Sequence, residues 1–200
     1  MSRTSPASHA ALPRCPWAAG SPEMLAYHDQ EWGTPQHDDR ALFELITLEG
    51  AQAGLSWRTI LARRKDYRLS FHDFDIARVA AMTDRELEAL IRHSGIIRNR
   101  LKIYSVRSNA EAALAAITAH GSLDSYLWSF VGGTPIVNHR REMKEVPAST
   151  ALSDSMSKAL RKAGFRFVGS TICYAFLQAS GMVDDHLASC FRARTAARPS

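Results

Sequence analysis

The sequence predicts an all-α fold. Apolar residues recur at helical spacing along most of the chain, capping residues stand in front of several of those stripes, and strand-like alternation is nearly absent. Its 200 residues suit one compact domain or two small lobes. The composition, 46% hydrophobic and 22% charged, excludes disorder, collagen and coiled coil over most of the length.

In chain order, residues 1–13 read as a flexible extension without the apolar run of a secretory signal. A helix is predicted over Asp39 to Leu48, and Ser56 caps another that carries Trp57, Ile60 and Leu61. Thr83 and Glu86 form a capping box ahead of Leu87, Leu90 and Ile91. That helix is expected to end at Ser94, with Gly95, Ile96 and Ile97 making a tight turn into a long helix from Leu101 to Ala119. Leu123, Tyr126, Leu127, Phe130 and Val131 share one helix face, and Gly132 and Gly133 stop it. Pro135 and Pro147 bracket an irregular stretch from Gly132 to Ser149. Ser153 is read as opening a helix through Met156 and Leu160 to Gly164, followed by helices over Thr171 to Ser180 and Asp184 to Phe191. Residues 193–200 read as a flexible tail, which leaves 14–192 as a single domain.

Charge points to an anionic partner. The formal net charge is +5, and no acid lies between Glu88 and Glu111 while Arg92, Arg98, Arg100, Lys102 and Arg107 do. A helix-hairpin-helix there offers backbone N–H groups to a phosphate oxygen, and the basic residues give the footprint of a duplex backbone. The same pattern also fits an ordinary helical hairpin with a solvated basic face. Two further basic clusters, Arg58 with Arg63, Arg64, Lys65 and Arg68, and Lys158 with Arg161, Lys162 and Arg166, each fit a solvated helix face when taken alone.

Three cysteines are too few and too odd for a disulfide framework, so a reducing cytoplasm is expected. No run of about 18 apolar residues is present, so no membrane span or membrane partner is expected. Cys15 and His28 near one end and His186 and Cys190 near the other supply two thiolates and two imidazoles, a set that suits tetrahedral zinc. On a helix, residues four apart share a face, so His186 and Cys190 would grip one ion together. With all four positions filled, the metal would be structural. Buried unpaired cysteines and surface histidines are the alternative. Cys173, inside an apolar helix, reads as core, and His37, His72, His93, His120 and His139 have no ligand spacing.

Trp17, Tyr27, Trp32, Glu49 and Trp57 concentrate aromatic faces around one carboxylate. Glu49 follows an apolar helical run and precedes a turn containing Gly50 and Gly54. Either it ends the helix in solvent while the tryptophans fill a core, or aromatic faces sandwich a planar ligand whose edge a buried carboxylate reads.

The segments RCPW, LAYHDQEWGTP, LFELITLEGAQAGLSW, FHDFD, SGIIRNRLKI, LWSFV, SKALRKAGFRFVGSTICYAFLQASG and VDDHLASC, in this order from Cys15 to Cys190, resemble the DNA-3-methyladenine glycosylase I family of bacterial base-excision repair. The resemblance implies a helix-hairpin-helix glycosylase fold with a structural zinc on Cys15, His28, His186 and Cys190. It implies that Glu49 and Tyr27 hydrogen-bond the excised base, with Trp57 stacked on it and Trp17 lining the pocket. It makes the Gly54–Leu55 turn a probe that enters the DNA stack. The Gly95–Ile97 hairpin, with Arg98, Arg100 and Lys102, becomes the anchor on double-stranded DNA containing alkylated bases. Two residues depart from the family pattern: Met24 stands where a tyrosine is usual, and Pro16 replaces a common glycine.

A base already made cationic by methylation has a weakened bond to its sugar, so hydrolysis needs less force than for a neutral base. Flipping out a damaged base also costs least. The resemblance places no lysine as a Schiff-base nucleophile, so a monofunctional, monomeric glycosylase without lyase activity is expected. GGTPIVNHRRE supplies Asn138 and no aspartate where many wider relatives carry an essential one, which implies narrow specificity for 3-methyladenine. The competing class is a non-catalytic, zinc-stabilised DNA-binding module. A zinc hydrolase is disfavoured because the metal shell is complete.

Overall fold

The computed structural model describes residues 12–92 and 95–194. Most of the expected N-terminal extension and tail, and the expected helix end at Ser94, lie outside the described residues. Among the described residues ten α-helices make up the fold: α1 (Pro22–Gln30), α2 (Asp39–Gln52), α3 (Trp57–Leu61), α4 (Arg64–Ser70), α5 (Ile76–Ala80), α6 (Asp84–Ile91), α7 (Arg100–His120), α8 (Leu123–Trp128), α9 (Ala151–Lys162) and α10 (Ser170–Ala179). The only pairing of strands among the described residues is two residues long and parallel, with Ile136 opposite Val183 and Val137 opposite Asp184. The all-α expectation stands.

Helix α2 is the axis of the molecule. It packs against α3, α7, α8 and α10, and every residue from Leu42 to Ala51 is buried. A helix surrounded on all sides needs no polar face, which is why its two glutamates, Glu44 and Glu49, are forced out of water. Asp38 starts it by accepting from the Ala41 N–H at 2.8 Å. It runs past the expected end at Leu48, so Gly50 lies inside the helix, where a Cβ would meet the Phe167 side chain at 3.2 Å. Helix α7 packs on α5, α6 and α8, and α9 on α10.

Local cap chemistry holds where it is read from neighbouring residues. Ser56 caps α3, and Thr83 and Glu86 exchange both bonds of a capping box. The stripe from Leu123 ends in a single 3₁₀ turn before Gly132, whose φ of 65° is left-handed. Two expectations are corrected. Helix α9 is capped by Thr150, and Ser153 is its reciprocal partner in a capping box rather than its start. Asp184 to Phe191 is not helical. Asp184 belongs to the strand pair, its side chain accepts from the His186 N–H at 3.0 Å, and the Leu187 and Arg192 amides reach the Cys15 and Cys190 sulfurs. Amides engaged in this way cannot close i to i−4 bonds. The Phe191 N–H donates to the Pro13 carbonyl at 2.8 Å, so the C-terminal segment closes against the N-terminal one.

Candidate base pocket and metal centre

Successive residues on α1 face two different places. Tyr27 looks into a cavity of about 260 Å³ bounded by α1, α2, α3 and α10, while His28 looks away toward the C-terminal segment. This follows from the turn of about 100° between neighbours on a helix. Pro22 and the Ser21 side chain, which accepts from the Met24 N–H, start the helix that makes the split.

The cavity brings together Trp17, Tyr27, Trp32, Glu49 and Trp57, and adds Gln52, Met143, Val146, Gln178 and Asp185. The Tyr27 and Trp57 rings lie 5.1 Å apart, inclined at 46°, and Trp17 sets its edge on Trp32 at 5.0 Å. Met24 sits in the wall as a buried apolar side chain.

Three residues that line this cavity each carry a buried polar atom without a hydrogen-bond partner: the Tyr27 hydroxyl, Glu49 Oε2 and Trp57 Nε1. Unmade hydrogen bonds of this kind cost about 1–3 kcal/mol each, so their concentration here marks a place made for a ligand. Burial pushes the Glu49 carboxyl up to about 8. Burial, and then the nearby Glu49, pushes Tyr27 well above the usual phenol range. Glu44, five residues earlier on the same helix, has a different environment: Arg64 donates to it at 2.6 Å and Arg68 at 2.8 and 3.0 Å. Glu49 is the carboxylate left free to meet a cation. Asp185, also buried, is already saturated by Asn138 at 2.8 Å, Gln178 at 2.7 Å and the Tyr174 hydroxyl.

Cys15, His28, His186 and Cys190 converge in the interior with their ligand atoms all within 4.8 Å of one another. Cys190 Sγ lies 3.6 Å from His186 Nδ1, and Cys15 Sγ 3.7 Å from the same atom. Spacings of this size are those of ligands around a tetrahedral ion with bonds of about 2.0–2.3 Å. The outer nitrogens are also held: His28 Nδ1 meets Asp29 at 2.8 Å, and His186 Nε2 meets the Trp32 carbonyl at 3.2 Å. Asp29 is in turn gripped by Arg14 at 2.7 Å. Such partners fix the ring orientation that a metal needs. Burial holds His186 down to about 4, in the neutral form that ligates, and pushes the Cys15 thiol up to about 12. The four donors fit a metal ion, and they meet through a turn rather than along a helix. Cys173 is core, as expected, with its thiol on the Val168 carbonyl.

The hairpin residues separate. Arg98 is exposed and forms no ion pair among the described residues. Arg100 is exposed and pairs with Glu88. The Ile96 side chain is core, 2% exposed, so only its backbone is available to a phosphate, and the Ile97 N–H faces the Tyr67 hydroxyl at 3.4 Å. Lys102 departs from the expectation of a phosphate contact: its ammonium donates to the Ala51 carbonyl at 2.8 Å and to that of Ala53 at 2.7 Å. Gly54 has a φ of 78°, and Leu55 after it is 41% exposed, between the cavity-lining residues Gln52 and Trp57 in the chain. In the second basic cluster Arg64 and Arg68 are occupied by Glu31 and Glu44, whereas Arg58 stays exposed.

Residues 17–193 match the methyladenine glycosylase family profile. The chain is 48% identical over 179 residues to the DNA-3-methyladenine glycosylase 1 of Escherichia coli (strain K12), covering 90% of this chain and 96% of that protein. A crystal structure of a 3-methyladenine DNA glycosylase I superimposes with a TM-score of 0.88 at 49% identity, covering 91% of this chain and all of that one. A tyrosine-to-phenylalanine variant of a 3-methyladenine DNA glycosylase I, in complex with 3-methyladenine, superimposes with a TM-score of 0.88 at 34% identity, covering 91% and 98%.

Proposed function

This chain belongs to the methyladenine glycosylase family, and from that premise we propose that it excises 3-methyladenine from alkylated DNA by hydrolysing the N-glycosidic bond, the opening step of base-excision repair. The observation that carries the reading is Glu49, a buried carboxylate with one oxygen unpartnered, in a cavity walled by Trp57, Tyr27 and Trp17.

The target base is unstacked from duplex DNA and enters the cavity. Its methylated ring is cationic, so stacking on Trp57 gains the attraction between a cation and an aromatic face. Glu49 Oε2 accepts a hydrogen bond from the base edge and balances its charge, and a cation beside it restores the ionised form that burial opposes. The Tyr27 hydroxyl takes the second unmade bond. The methylated base is a good leaving group, so the protein's contribution is to extrude it, hold it and exclude alternatives, and water completes the cleavage. Gly54 and Leu55 enter the gap in the stack while the backbone of Gly95 to Ile97 and the Arg98 and Arg100 side chains lie along the phosphates.

The donor set Cys15, His28, His186 and Cys190 supports a structural zinc, which fastens the two ends of the domain and leaves no coordination position for substrate. No helix among the described residues is long and apolar enough to cross a membrane. None of the three cysteines is in a disulfide, which supports a reducing, DNA-bearing compartment such as the cytoplasm.

The test is incubation with a methylated duplex, followed by chromatography of released bases and alkaline treatment of the strand. Release of 3-methyladenine, with strand breaks appearing only after alkali, is expected. Retention of DNA without base release would support the binding module instead, and comparable release of 7-methylguanine would overturn the narrow specificity.

A further inference from the structure

We propose that Lys102 is a positioning residue for excision: from the first turn of α7 it clamps the carbonyl end of α2, and so fixes the Gly54–Leu55 turn relative to the DNA-facing hairpin. The inference rests on the excision reading above, in which that turn enters the DNA.

From Gly50 to Ala53, each backbone carbonyl at the end of α2 has a partner. The Gly50 oxygen accepts from the Ala53 N–H at 3.4 Å and the Gln52 oxygen from the Leu55 N–H at 2.6 Å. The two carbonyls between and after them, Ala51 and Ala53, both accept from Lys102 Nζ. A helix leaves its last carbonyls unpaired, and a cation at that end meets the negative pole of the helix. Among the described residues no backbone amide outside the helix donates to either of these two carbonyls.

The other end of Lys102 belongs to the hairpin. Its backbone N–H is held by Asn99 Oδ1 at 3.1 Å, in the cap that starts α7. One residue therefore joins the segment proposed to lie on phosphates to the segment proposed to part the bases. It also steadies the last turn of α2, where Glu49 sits. The ammonium is half-buried, and burial lowers its proton affinity, as expected for a side chain turned inward to carbonyls rather than outward to a phosphate. Arg98, four residues before it, is exposed and makes the natural contrast.

The test compares Lys102→Met with Arg98→Met in the full chain. For binding to undamaged duplex as salt is raised, Arg98→Met is expected to lower the log–log slope by about one, as for a lost phosphate contact, and Lys102→Met to leave it unchanged. For release of 3-methyladenine from duplex in a single turnover, Lys102→Met is expected to slow the rate roughly tenfold while binding of free 3-methyladenine, read by tryptophan fluorescence, changes less than about twofold. On a Leu55→Ala background the lysine substitution should cost less than about twofold, because the element it positions is already gone.

Should Lys102→Met fold poorly, Lys102→Gln keeps a neutral donor near the carbonyls and is expected to retain part of the rate at unchanged slope. A slope reduced by about one in either variant would make Lys102 a phosphate contact and overturn the proposal. So would an unchanged excision rate in Lys102→Met. A wild-type protein that releases no base overturns the excision reading and the proposal together, an outcome visible before any variant is made.

Discussion

The sulfur of Cys190 lies 3.4 Å from Nε2 of His28, although 162 positions separate the two residues. Nothing in the backbone between them forces this meeting, and an ion shared with Cys15 and His186 gives it a reason. Closing a loop of that size constrains the unfolded chain by about 5 kcal/mol. Cys190→Ser, or exhaustive chelation, is therefore expected to lower Tm by roughly 10–20 °C, with excision lost as the domain loosens. Elemental analysis with thermal scans checks this, and absence of stoichiometric zinc alongside an unchanged Tm would contradict it.

Glu49 makes stability depend on pH in a direction that can be worked out. Its folded value of about 8 stands above its ordinary 4.5. Below 4.5 the carboxyl is neutral in both states and adds no pH dependence. Between 4.5 and 8 the folded state holds a proton that the unfolded state has released, so stability falls as pH rises through this window and levels off above it. Glu49→Gln removes the effect. It is expected to be more stable than wild type by roughly 3–5 kcal/mol at pH 9 and about equal at pH 4. Urea titrations of both proteins across that range, read as a difference, separate this group from the other titrating ones.

The Tyr27 hydroxyl is buried without a partner in the free protein. Tyr27→Phe is expected to raise unfolding free energy by about 1 kcal/mol or more while weakening binding of 3-methyladenine. A destabilised variant with unchanged base affinity would mean that the hydroxyl serves the fold rather than the ligand.

Trp57 provides the face that a cationic ring stacks on. Replacing it with leucine keeps an apolar wall but removes the quadrupole, and is expected to cost about 2 kcal/mol, close to thirtyfold, in affinity for free 3-methyladenine. Calorimetric titration reads this, and an affinity within twofold of wild type would assign Trp57 to packing alone.

What could be read from the sequence was the chemistry that acts over three or four residues. Ser56, the Thr83–Glu86 box and Gly132 declare themselves because a cap and its target are close neighbours. Asp184 to Phe191 was misread because its amides are taken by Asp184, Cys15 and Cys190, and one of those partners lies at the far end of the chain. The clustering of Glu49, Tyr27 and the tryptophans in the sequence, together with the family resemblance, points to side chains that line one cavity. Met143, Gln178 and Asp185 reach the same cavity from distant segments through packing alone, and no local pattern marks them. Lys102 looked like one more charge in an acid-free stretch. Only the fold reveals the carbonyls of Ala51 and Ala53 against it.

The central claim is that a buried, unpaired carboxylate reads and balances the cationic base. Single-turnover release of 3-methyladenine by Glu49→Gln, with metal content and circular dichroism matched to wild type, tests it most directly. A fall on the order of a hundredfold is predicted, and release at the wild-type rate from the folded, metal-loaded variant would contradict it.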